Sequence, residues 1–345
     1  MKAVRIHAHG GSDQLRYEDA EDPQLRSPSD VIVNLKAAAV NRVDLTLRAG
    51  SVCNQVSFPR ILGADGAGIV VSVGVAVNNV KPGAAVCFYP VIGCGHCQLC
   101  ANEQESLCGE RRLLGDREDG TYAEYVRVPA KNCFAAPAGL SFEEAAAFPL
   151  VYATAWRMLF THADLKPGES ILIIGAGGGV ASAALQLARV IGARVFVTSR
   201  SAEKLAAATE RGAHHGIDSR THELAKEVRR LTGKRGVDVV VNNVGGEAWS
   251  AGLAALARGG RLVTCGSVAG ATPKTDLRRI FWNHLTIFAA RSVTRQEFRR
   301  VLNFFDGSCR KPIIDQVLPL SNANHAHQRM QQGQQFGKIV LRVDE

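Results

Sequence analysis

The sequence has no apolar run that could cross a bilayer, which takes about 18 consecutive residues. Its first residues, MKAVRIHAHGG, also lack the apolar core of a secretory signal, so we expect a cytoplasmic protein. Aromatic residues are scarce at 6%, whereas 46% of residues are hydrophobic and 34 are glycine. This composition is typical of a soluble α/β protein packed with small side chains.

Charge is not concentrated in one segment. The net charge of +9 comes from 41 basic and 32 acidic residues, with local basic clusters at Arg111–Arg112, Arg278–Arg279 and Arg291–Arg300. A nucleic-acid-binding face concentrates basic residues and interleaves aromatic ones, so we interpret these clusters as solvated surface. The phosphates of a substrate such as an acyl-CoA thioester are the alternative partner for Arg291–Arg300.

The length of 345 residues fits about two domains. The first part contains the short apolar or alternating runs VIVNLKAA, GAGIVVSVG and AAVCFYPVI, separated by turn signals, which predicts a β-rich domain. A short helix is predicted around Arg42–Ala49. Ser141 and Glu144 have capping-box spacing, which predicts the start of an apolar helix in SFEEAAAFPL.

From Glu169 onward, strand and helix patterns alternate. ILIIG, RVFVTS, VDVVVNNVGG and RLVTCGS read as strands, and VASAALQLARVIG, SAEKLAAATERG and AWSAGLAALARGG read as helices. This alternation predicts an α/β fold with right-handed βαβ units and a doubly wound parallel sheet. The final FGKIVLRV is predicted to be a strand that returns to the first domain. We therefore assign residues 1–150 and 291–345 to one domain and 151–290 to the other.

The first strand–helix turn of the second domain, in ILIIGAGGGVASAALQLA, is a candidate pyrophosphate site. Glycines there let the backbone turn sharply and approach a phosphate at a helix N-terminus. Two registers fit, one beginning at Gly175 and one at Ala176, and we prefer the second because its third position, Ala181, suits helix packing. The predicted dinucleotide contacts are Ala176, Gly177, Gly178, Gly179 and Val180.

The end of the second strand of this domain predicts which dinucleotide binds. An enzyme that uses NAD places an acidic residue there to bind the ribose hydroxyls. The segment VFVTSRSAEKL instead offers Ser199, Arg200 and Lys204, with no acid before Glu203. Cations suit the 2′-phosphate of NADP(H), which is the predicted cofactor. A solvent-facing loop position is the alternative for Arg200.

Four cysteines, Cys94, Cys97, Cys100 and Cys108, lie in the polar segment CGHCQLCANEQESLC. Four thiolates with no open position make a closed tetrahedral site, which predicts one structural zinc ion. An iron–sulfur cluster and a nucleic-acid-binding zinc ribbon are the alternatives. His96 could replace a cysteine as ligand, but we expect it to point outward. The other cysteines are predicted to be small buried apolar residues: Cys53, Cys87, Cys133, Cys265 and Cys309.

Several segments carry a family resemblance: the cysteine segment, GAGGGVASAALQLA, KAAAVNRVDLTLRAG, ILGADGAGIVVSVG, VKPGAAV and FGKIVL. Together they resemble the medium-chain dehydrogenase/reductase superfamily over essentially the whole chain. The resemblance implies a GroES-like catalytic domain, with a structural zinc lobe at residues 93–110, and a Rossmann cofactor domain. Members with a catalytic zinc hold it with residues at positions that match Asn41, Ala64 and Leu150. Those side chains do not bind zinc, so we expect no catalytic zinc.

NRVD and GADGAG are similar to the quinone oxidoreductase and enoyl reductase branch, which works without a catalytic metal. The implied reaction is hydride transfer from NADPH to a quinone or to the activated C=C bond of an α,β-unsaturated carbonyl compound. Asn41 is then the candidate donor to the substrate oxygen, with bracing of the backbone or a cofactor contact as the alternative. Tyr152 is the candidate proton donor, with solvent as donor or simple packing as the alternative.

The resemblance also implies further cofactor contacts, with Phe288, Phe336 and Lys338 closing the nicotinamide half: Asn41, Thr154, Asn243, Val244, Gly266, Ser267, Phe288, Phe336 and Lys338. Asp44 and Asp65 are interpreted as carboxylates that fix loops by accepting hydrogen bonds from backbone groups or from Arg42 or Arg48, rather than as general bases. Dimers or tetramers are expected through a sheet edge formed by LTIFAARS. Two other functions remain open at this point, a zinc alcohol dehydrogenase with replacement ligands and a non-enzymatic NADPH- or RNA-binding protein.

Overall fold

The computed structural model describes residues 1–51 and 56–343. Cys53 lies outside this range, so the prediction made for it is not addressed. None of the helices in the described ranges combines the length and the apolar composition that a bilayer-spanning segment requires.

The strands are β1 (Lys2–Ile6), β2 (Arg16–Asp19), β3 (Asp30–Ala39), β4 (Arg60–Ile61), β5 (Asp65–Val73), β6 (Ala85–Phe88), β7 (Val91–Ile92), β8 (Arg112–Leu113), β9 (Tyr125–Pro129), β10 (Cys133–Ala135), β11 (Ser170–Ile174), β12 (Arg194–Ser199), β13 (His215–Asp218), β14 (Val237–Asn242), β15 (Leu256–Thr264), β16 (Thr286–Ala289), β17 (Ile314–Pro319) and β18 (Lys338–Arg342). The α-helices are α1 (Arg42–Arg48), α2 (Gln98–Ala101), α3 (Phe142–Ala147), α4 (Pro149–Trp156), α5 (Gly179–Val190), α6 (Ala202–Glu210), α7 (Leu224–Leu231), α8 (Glu247–Ala255), α9 (Leu277–Trp282), α10 (Arg295–Phe305) and α11 (Ala323–Gln331).

The first compact unit contains Met1–Ala153 and Val293–Glu345. Its main sheet has the order β10-β6-β5-β3-β18-β17, and β9 also pairs with β3. From Val31 to Ala37, the side chains of β3 alternate between buried and half-buried positions, because one face of this sheet covers the core. β18 is antiparallel to β3, so the predicted return of the C-terminal strand to the first domain is confirmed.

The second compact unit, Thr154–Ser292, contains a parallel sheet of order β13-β12-β11-β14-β15-β16. β11 is buried along its whole length because it is central and is covered on both faces. From the centre of the sheet, β12 and β13 are added on one side of β11, and β14, β15 and β16 are added on the other side. In such sheets, ligands bind in the crevice at the carboxyl ends of the two strands where the order reverses, here β11 and β14. The predicted α/β fold with a doubly wound parallel sheet is confirmed.

The observed elements differ from the predicted ones at several places. LARGG belongs to β15 rather than to the preceding helix, because α8 ends at Ala255. β13 and α7 were not recognised in the sequence. The capping box at Ser141 and Glu144 is present, but the helix that it starts ends at Ala147, and α4 begins at Pro149, where proline has no N–H to continue a helix.

Candidate active site

Three strands of the first unit bring distant residues to one place. Ala39, the last residue of β3, pairs with Asp65 on β5 and with Val340 on β18. Asn41 follows shortly after β3 as the N-cap of α1, and Lys338 begins β18. Because β3 lies between β5 and β18, the side chains of Asn41, Asp65 and Lys338 meet where β3 ends.

The positions that the resemblance assigns to a catalytic zinc also meet here. Asn41 Nδ2 donates to Asp65 Oδ2 at 2.9 Å, and the backbone N–H of Leu150 donates to Asp65 Oδ1 at 3.0 Å. Ala64, which is buried, directly precedes Asp65. This arrangement supplies one carboxylate, whereas a catalytic zinc takes three protein ligands from cysteine, histidine and carboxylate side chains. The residues at this place therefore do not fit a zinc ion.

A buried ammonium occupies the same place. Lys338 Nζ donates to Asn41 Oδ1 at 2.6 Å and to Asp65 Oδ2 at 3.1 Å. The Lys338 and Asp65 side chains are 2% and 0% exposed, so this ion pair is shielded from water. Lys338 thus contributes a positive charge beside Asn41.

The amide of Asn41 is fully engaged. A primary amide has two N–H donors, and Asn41 Nδ2 donates to Asp65 Oδ2 at 2.9 Å and to the Ala39 carbonyl at 3.3 Å. Its oxygen accepts from Lys338. No N–H of the side chain is left for a substrate oxygen, so these contacts match the bracing alternative for Asn41 and not the predicted donor role.

A chain of buried polar groups continues from Asn41. Asp44 Oδ2 accepts from the Asn41 backbone N–H at 2.8 Å and from the Tyr122 hydroxyl at 2.9 Å. Tyr122 Oη lies 3.1 Å from His327 Nε2, and Arg48 Nη1 lies 3.1 Å from His327 Nδ1. Because an arginine only donates, His327 Nδ1 accepts, and the neutral ring carries its proton on Nε2 and donates to Tyr122.

Burial controls the charges along this chain. Loss of hydration raises the pKa of Asp44 to about 7, although its hydrogen bonds from Asn41 and Tyr122 oppose the shift. Burial and the Arg48 charge lower the pKa of His327 to about 3, which keeps the ring neutral. Within the described residues, Asp44 Oδ1 is buried without a hydrogen-bond partner. Of the two kinds of partner expected for Asp44 and Asp65, the contacts observed are those with backbone N–H groups, and the side chains of Tyr122, Asn41 and Lys338 take the place of the arginines.

Tyr152 lies in the core of the first unit. The residue is 1% exposed, and its ring packs edge to face against Phe305 at a centroid distance of 4.9 Å. Burial raises the pKa of the phenol, with only a backbone hydrogen bond from Ile313 opposing the shift. This environment is that of a packing aromatic, which was the alternative to its role as proton donor.

The predicted pyrophosphate turn lies at the carboxyl end of β11. Gly175 has a φ of +85°, which favours glycine, and its N–H donates to Thr198 Oγ1 at 3.1 Å. The sharp turn is therefore made at Gly175, the first residue of the register that the sequence analysis set aside. Gly178 caps α5, and a Cβ built there would meet Asn243 Nδ2 no closer than 3.8 Å. The open space at this helix N-terminus fits a phosphate.

The neighbouring loops close the same edge of the sheet. Asn243 and Val244 follow β14, and Asn243 Oδ1 is buried without a partner in the described part of the chain. A Cβ at Gly266, after β15, would lie 2.9 Å from the Asn243 carbonyl, so this close approach requires glycine. Ser267 is exposed beside it. An orphaned amide oxygen next to the open space at Gly178 fits a polar ligand such as the cofactor.

The end of β12 contains an acidic neighbour that the sequence analysis missed. Ser199 is the register partner of Asp218 on β13, whose carboxylate pairs with Arg220 at 2.7 Å. Hydrogen bonds from Arg220 lower the pKa of Asp218 to about 2. Arg200 is exposed, and Lys204 lies in the first turn of α6. Arg200 and Lys204 therefore follow a strand whose last residue is paired in register with an acid, and this acid forms an ion pair with Arg220.

The remaining predicted cofactor contacts are divided between the two units. Thr154 is buried in α4, and Phe288 stacks on His162 at a centroid distance of 5.5 Å, both within the second unit. Phe336 belongs to the first unit, where its backbone N–H donates to Asp315 Oδ1 at 2.9 Å. Asn41 and Lys338 belong to the first unit and meet there.

The four cysteines form a compact cluster in which all four sulfur atoms lie within 4.8 Å of one another. Cys94 Sγ lies 3.8 Å from Cys100 Sγ, and Cys97 Sγ lies 3.8 Å from Cys108 Sγ. Four sulfurs about 2.3 Å from one zinc ion are about 3.8 Å apart, whereas an iron–sulfur cluster separates its cysteines further. Backbone N–H groups of His96 and Cys97 lower the pKa of Cys94 to about 6. These thiols therefore fit a single tetrahedral zinc ion as a candidate site.

His96 does not enter the cluster of four sulfurs, since its side chain is 75% exposed and lies 3.9 Å from Glu110. Of the other cysteines, Cys87 and Cys133 are buried as predicted and Cys265 is half-buried. Cys309 is exposed, so the prediction for it is wrong. It follows α10 in a turn outside the core.

Acidic residues of the cysteine segment bind the basic run Arg291–Arg300. Arg295 of α10 pairs with the buried Glu105, and Arg299 pairs with Glu103 at 3.1 Å. These contacts join the cysteine segment to α10 within the first unit. Two arginines of the run are thus committed to carboxylates of the protein, which argues against a phosphate-binding role for them.

Family models match both parts of the chain. Residues 27–138 match the alcohol dehydrogenase GroES-like domain, and residues 179–307 match the zinc-binding dehydrogenase domain. A NAD-dependent alcohol dehydrogenase from Sulfolobus acidocaldarius is 33% identical, over 99% of this chain and 100% of that protein. The chain belongs to the zinc-binding dehydrogenase family. It is an oxidoreductase of the medium-chain dehydrogenase/reductase superfamily, with the GroES-like and Rossmann domains that the sequence predicted.

Solved structures agree with this assignment of the dehydrogenase. A crystal structure of a NAD-dependent alcohol dehydrogenase superposes with a TM-score of 0.95 at 38% identity, covering 100% of both chains. Human quinone oxidoreductase is 26% identical over 99% of this chain and 97% of its own. The names of these relatives thus include both NAD-dependent alcohol dehydrogenases and a quinone oxidoreductase.

Several residues of this dehydrogenase's buried network were missed from its sequence. Tyr122 and His327 are single residues in unremarked segments, and nothing in their spacing signals a contact with Asp44. Asp65 and Lys338 were noticed separately, but as a loop-fixing carboxylate and a cofactor contact. A lysine in an otherwise apolar C-terminal strand, FGKIVL, was the available signal for a buried charge pair.

Proposed function

We propose that the protein is an NADPH-dependent reductase of quinones or of the activated C=C bonds of α,β-unsaturated carbonyl compounds, acting without a catalytic zinc. The observation that carries the proposal is the convergence of Asn41, Ala64 and Leu150 around Asp65, where none of the three side chains binds zinc. Reduction of a quinone or enone needs stabilisation of a developing oxyanion but not a metal-bound alcohol.

NADPH is proposed because the end of β12 offers Arg200 and Lys204 as partners of a 2′-phosphate. Asp218 on β13 is the register partner of Ser199, and the charge of Arg220, which pairs with it, compensates the carboxylate charge that would repel this phosphate. The proposed contacts along the pyrophosphate are Ala176, Gly177, Gly178, Gly179 and Val180. When bound, NADPH supplies the hydride, and the protein supplies position, orientation and a dry site.

One structural zinc ion per chain is proposed for Cys94, Cys97, Cys100 and Cys108. The sulfur spacing supports it, and a closed set of four thiolates leaves no position for a substrate. We also propose a homodimer or homotetramer. β16, from the predicted segment LTIFAARS, lies at the edge of the parallel sheet, which supports association through that edge.

A second candidate function is alcohol dehydrogenation with NAD. The names of the Sulfolobus relative and of the similar crystal structure favour it. It would need a second metal, because alcohol oxidation in zinc dehydrogenases relies on a metal to acidify the hydroxyl. The residues around Asp65 do not provide ligands for that metal.

The two functions are separated by metal content and turnover. We expect about one zinc per chain, NADPH consumption with a panel of quinones and enones, and no alcohol-dependent reduction of NAD⁺. Arg200→Gln should weaken NADPH binding about tenfold, because one charge-assisted phosphate contact is worth about 1.5 kcal/mol. NADH binding should stay unchanged.

The control for this variant is Arg211→Gln, at an exposed position after α6, which should leave both affinities unchanged. Two zinc ions per chain together with alcohol oxidation would contradict the proposal. Tighter binding of NADH than of NADPH by the unaltered protein would contradict the assignment of the cofactor.

A further inference from the structure

We propose that the Lys338 ammonium binds the substrate oxygen and stabilises its negative charge, taking the place of both a catalytic zinc and the Asn41 amide. The inference rests on the proposed function, because it concerns the oxyanion that forms during that reduction. It assigns to Lys338 a catalytic contact instead of the cofactor contact that the family resemblance implies.

The first argument is position. Lys338 Nζ lies 2.6 Å from Asn41 Oδ1, and Asn41 stands at one of the positions that matches a zinc ligand. Asp65 is the other partner of the ammonium, and it accepts a hydrogen bond from the backbone N–H of Leu150. Leu150 is also at a position that matches a zinc ligand. A cation that contacts Asn41 and Asp65, which lie among the positions that match zinc ligands, is placed to supply the positive charge that a metal would supply.

The second argument is the number of available donors. An ammonium has three N–H groups, and in the described part of the chain Lys338 uses two of them, toward Asn41 Oδ1 and Asp65 Oδ2. Asn41 has no donor left, because both of its N–H groups are engaged. Among these three side chains, Lys338 is the one that can still donate to a substrate oxygen.

The third argument is electrostatic. Lys338 and Asp65 are nearly inaccessible to water, and hydrogen bonds from a charged donor strengthen as the local dielectric constant falls. Asp65 balances the ammonium in the absence of substrate, so the buried charge is not left uncompensated. A developing oxyanion would share the ammonium with Asp65, and no reorganisation of water would be needed.

The reaction step balances as follows. The β-carbon of the enone accepts a hydride from NADPH, so one C–H bond of the nicotinamide ring breaks, one C–H bond forms at the β-carbon, and the C=C electron pair moves toward the carbonyl. The oxygen becomes an enolate, which accepts a hydrogen bond from Lys338, while the nicotinamide is left oxidised as NADP⁺. A proton from water then adds to the α-carbon, and Lys338 keeps all of its protons.

Lys338 could instead only brace β18 against β5, as a structural ion pair. Three variants separate bracing from catalysis. Lys338→Met removes the charge, Lys338→Met with Asp65→Asn removes both charges and leaves no unpaired ion, and Lys338→Arg keeps the charge. Thermal unfolding of each variant identifies those that fold.

We expect the double variant to fold and to lose about 100-fold in kcat at saturating NADPH, the usual cost of one oxyanion donor. Lys338→Arg should recover part of this loss. The Kd for NADPH, measured by fluorescence, should change less than about threefold. A double variant with unchanged kcat would reduce Lys338 to a brace. A loss confined to NADPH affinity would make it a cofactor contact. Either result overturns the inference.

A second measurement does not depend on turnover. 4-Nitrophenol is a chromogenic probe whose phenolate is an oxyanion. When it is bound to the complex of the unaltered protein with NADP⁺, its pKa should be lower than that of free 4-nitrophenol. The double variant should not lower this pKa. Failure to bind the phenolate form, or an equal shift in the double variant, overturns the inference. A lowered pKa together with no reduction of any quinone or enone would instead refute the proposed function and leave Lys338 as an oxyanion site.

Discussion

Asp44 is a residue whose protonation is coupled to folding. Burial raises its pKa to about 7 in the folded chain, against about 3.9 when unfolded. The pKa of Asp44 is higher in the folded chain than in the unfolded chain. Its contribution to the free energy of unfolding is therefore complete below about pH 4 and is lost as the pH rises toward about 7. Asp44→Asn cannot titrate, so its stability relative to the unaltered protein should increase over this window by up to about 4 kcal/mol.

Urea unfolding at pH 4.5, 6 and 8 measures this difference. Asp13→Asn, which removes a carboxylate at an exposed position, is the control and is measured at the same three pH values. A constant difference for Asp44→Asn across the range would mean that Asp44 keeps its charge in the folded protein.

At the scale of single residues, sequence analysis found the cluster of four cysteines more readily than the buried network. The cysteines lie within one short segment, so their spacing alone predicts their geometry. Asn41 and Lys338 are 297 positions apart, and Asp65 and Lys338 are 273 apart. Such contacts depend on the pairing of β3 with both β5 and β18, and one sequence does not reveal that pairing.

At the scale of elements, the cysteine segment and α10 are joined by ion pairs of different burial, and Arg295 takes part in two of them, with Glu105 and with Glu103. Arg295 pairs with Glu105, whose side chain is 2% exposed, whereas the Arg299–Glu103 pair is about half exposed. Removing one partner of a buried pair leaves a charge without compensation. Arg295→Gln should therefore cost roughly 2–4 kcal/mol of stability, and Arg299→Gln, its matched control, less than about 1 kcal/mol.

Zinc content distinguishes these effects from loss of the metal site. Both arginine variants keep the four thiolates and should retain about one zinc per chain, whereas Cys94→Ser should lose zinc and stability together. Urea unfolding and metal analysis on the same samples provide the test. Loss of zinc in Arg295→Gln would mean that α10 contributes to holding the metal site.

Elements with strong local signals were predicted well. β11, the glycine turn and α5 follow from a buried apolar run, glycines and an amphipathic helix, and they lie where the pattern placed them. The boundary between α8 and β15 was misplaced because the local helix stop, Gly259–Gly260, comes after the end of α8 at Ala255, and pairing of Leu256 with Val237 on β14 determines the strand conformation of LARGG. Long-range pairing overrides local propensity there.

At the scale of the whole molecule, the alternating second half predicted a doubly wound parallel sheet, because right-handed βαβ units leave few alternatives, but it did not predict the order of the strands. The β-rich first half did not predict its strand order. β18 comes from the C-terminus and joins β3 in the middle of that sheet, and this single insertion brings Lys338 to Asn41. The candidate site of the first unit therefore depends on the least predictable part of the topology.

The edge of the parallel sheet carries the last prediction. β16 ends the sheet, and the adjoining α9 exposes Phe281 by 58% and Trp282 by 66%. An open strand edge beside exposed aromatic side chains favours association, since burying each ring contributes about 1.5–3 kcal/mol. We expect a particle of about twice 36.9 kDa or a multiple of it, measured by sedimentation velocity.

Phe281→Asp with Trp282→Asp should yield monomers, because two carboxylates would be buried at the contact. Val75→Asp, at a 97% exposed position of the first unit, is the control and should leave the mass unchanged. A monomeric unaltered protein, or an oligomer that survives the double substitution, would show that this edge is not the contact between copies.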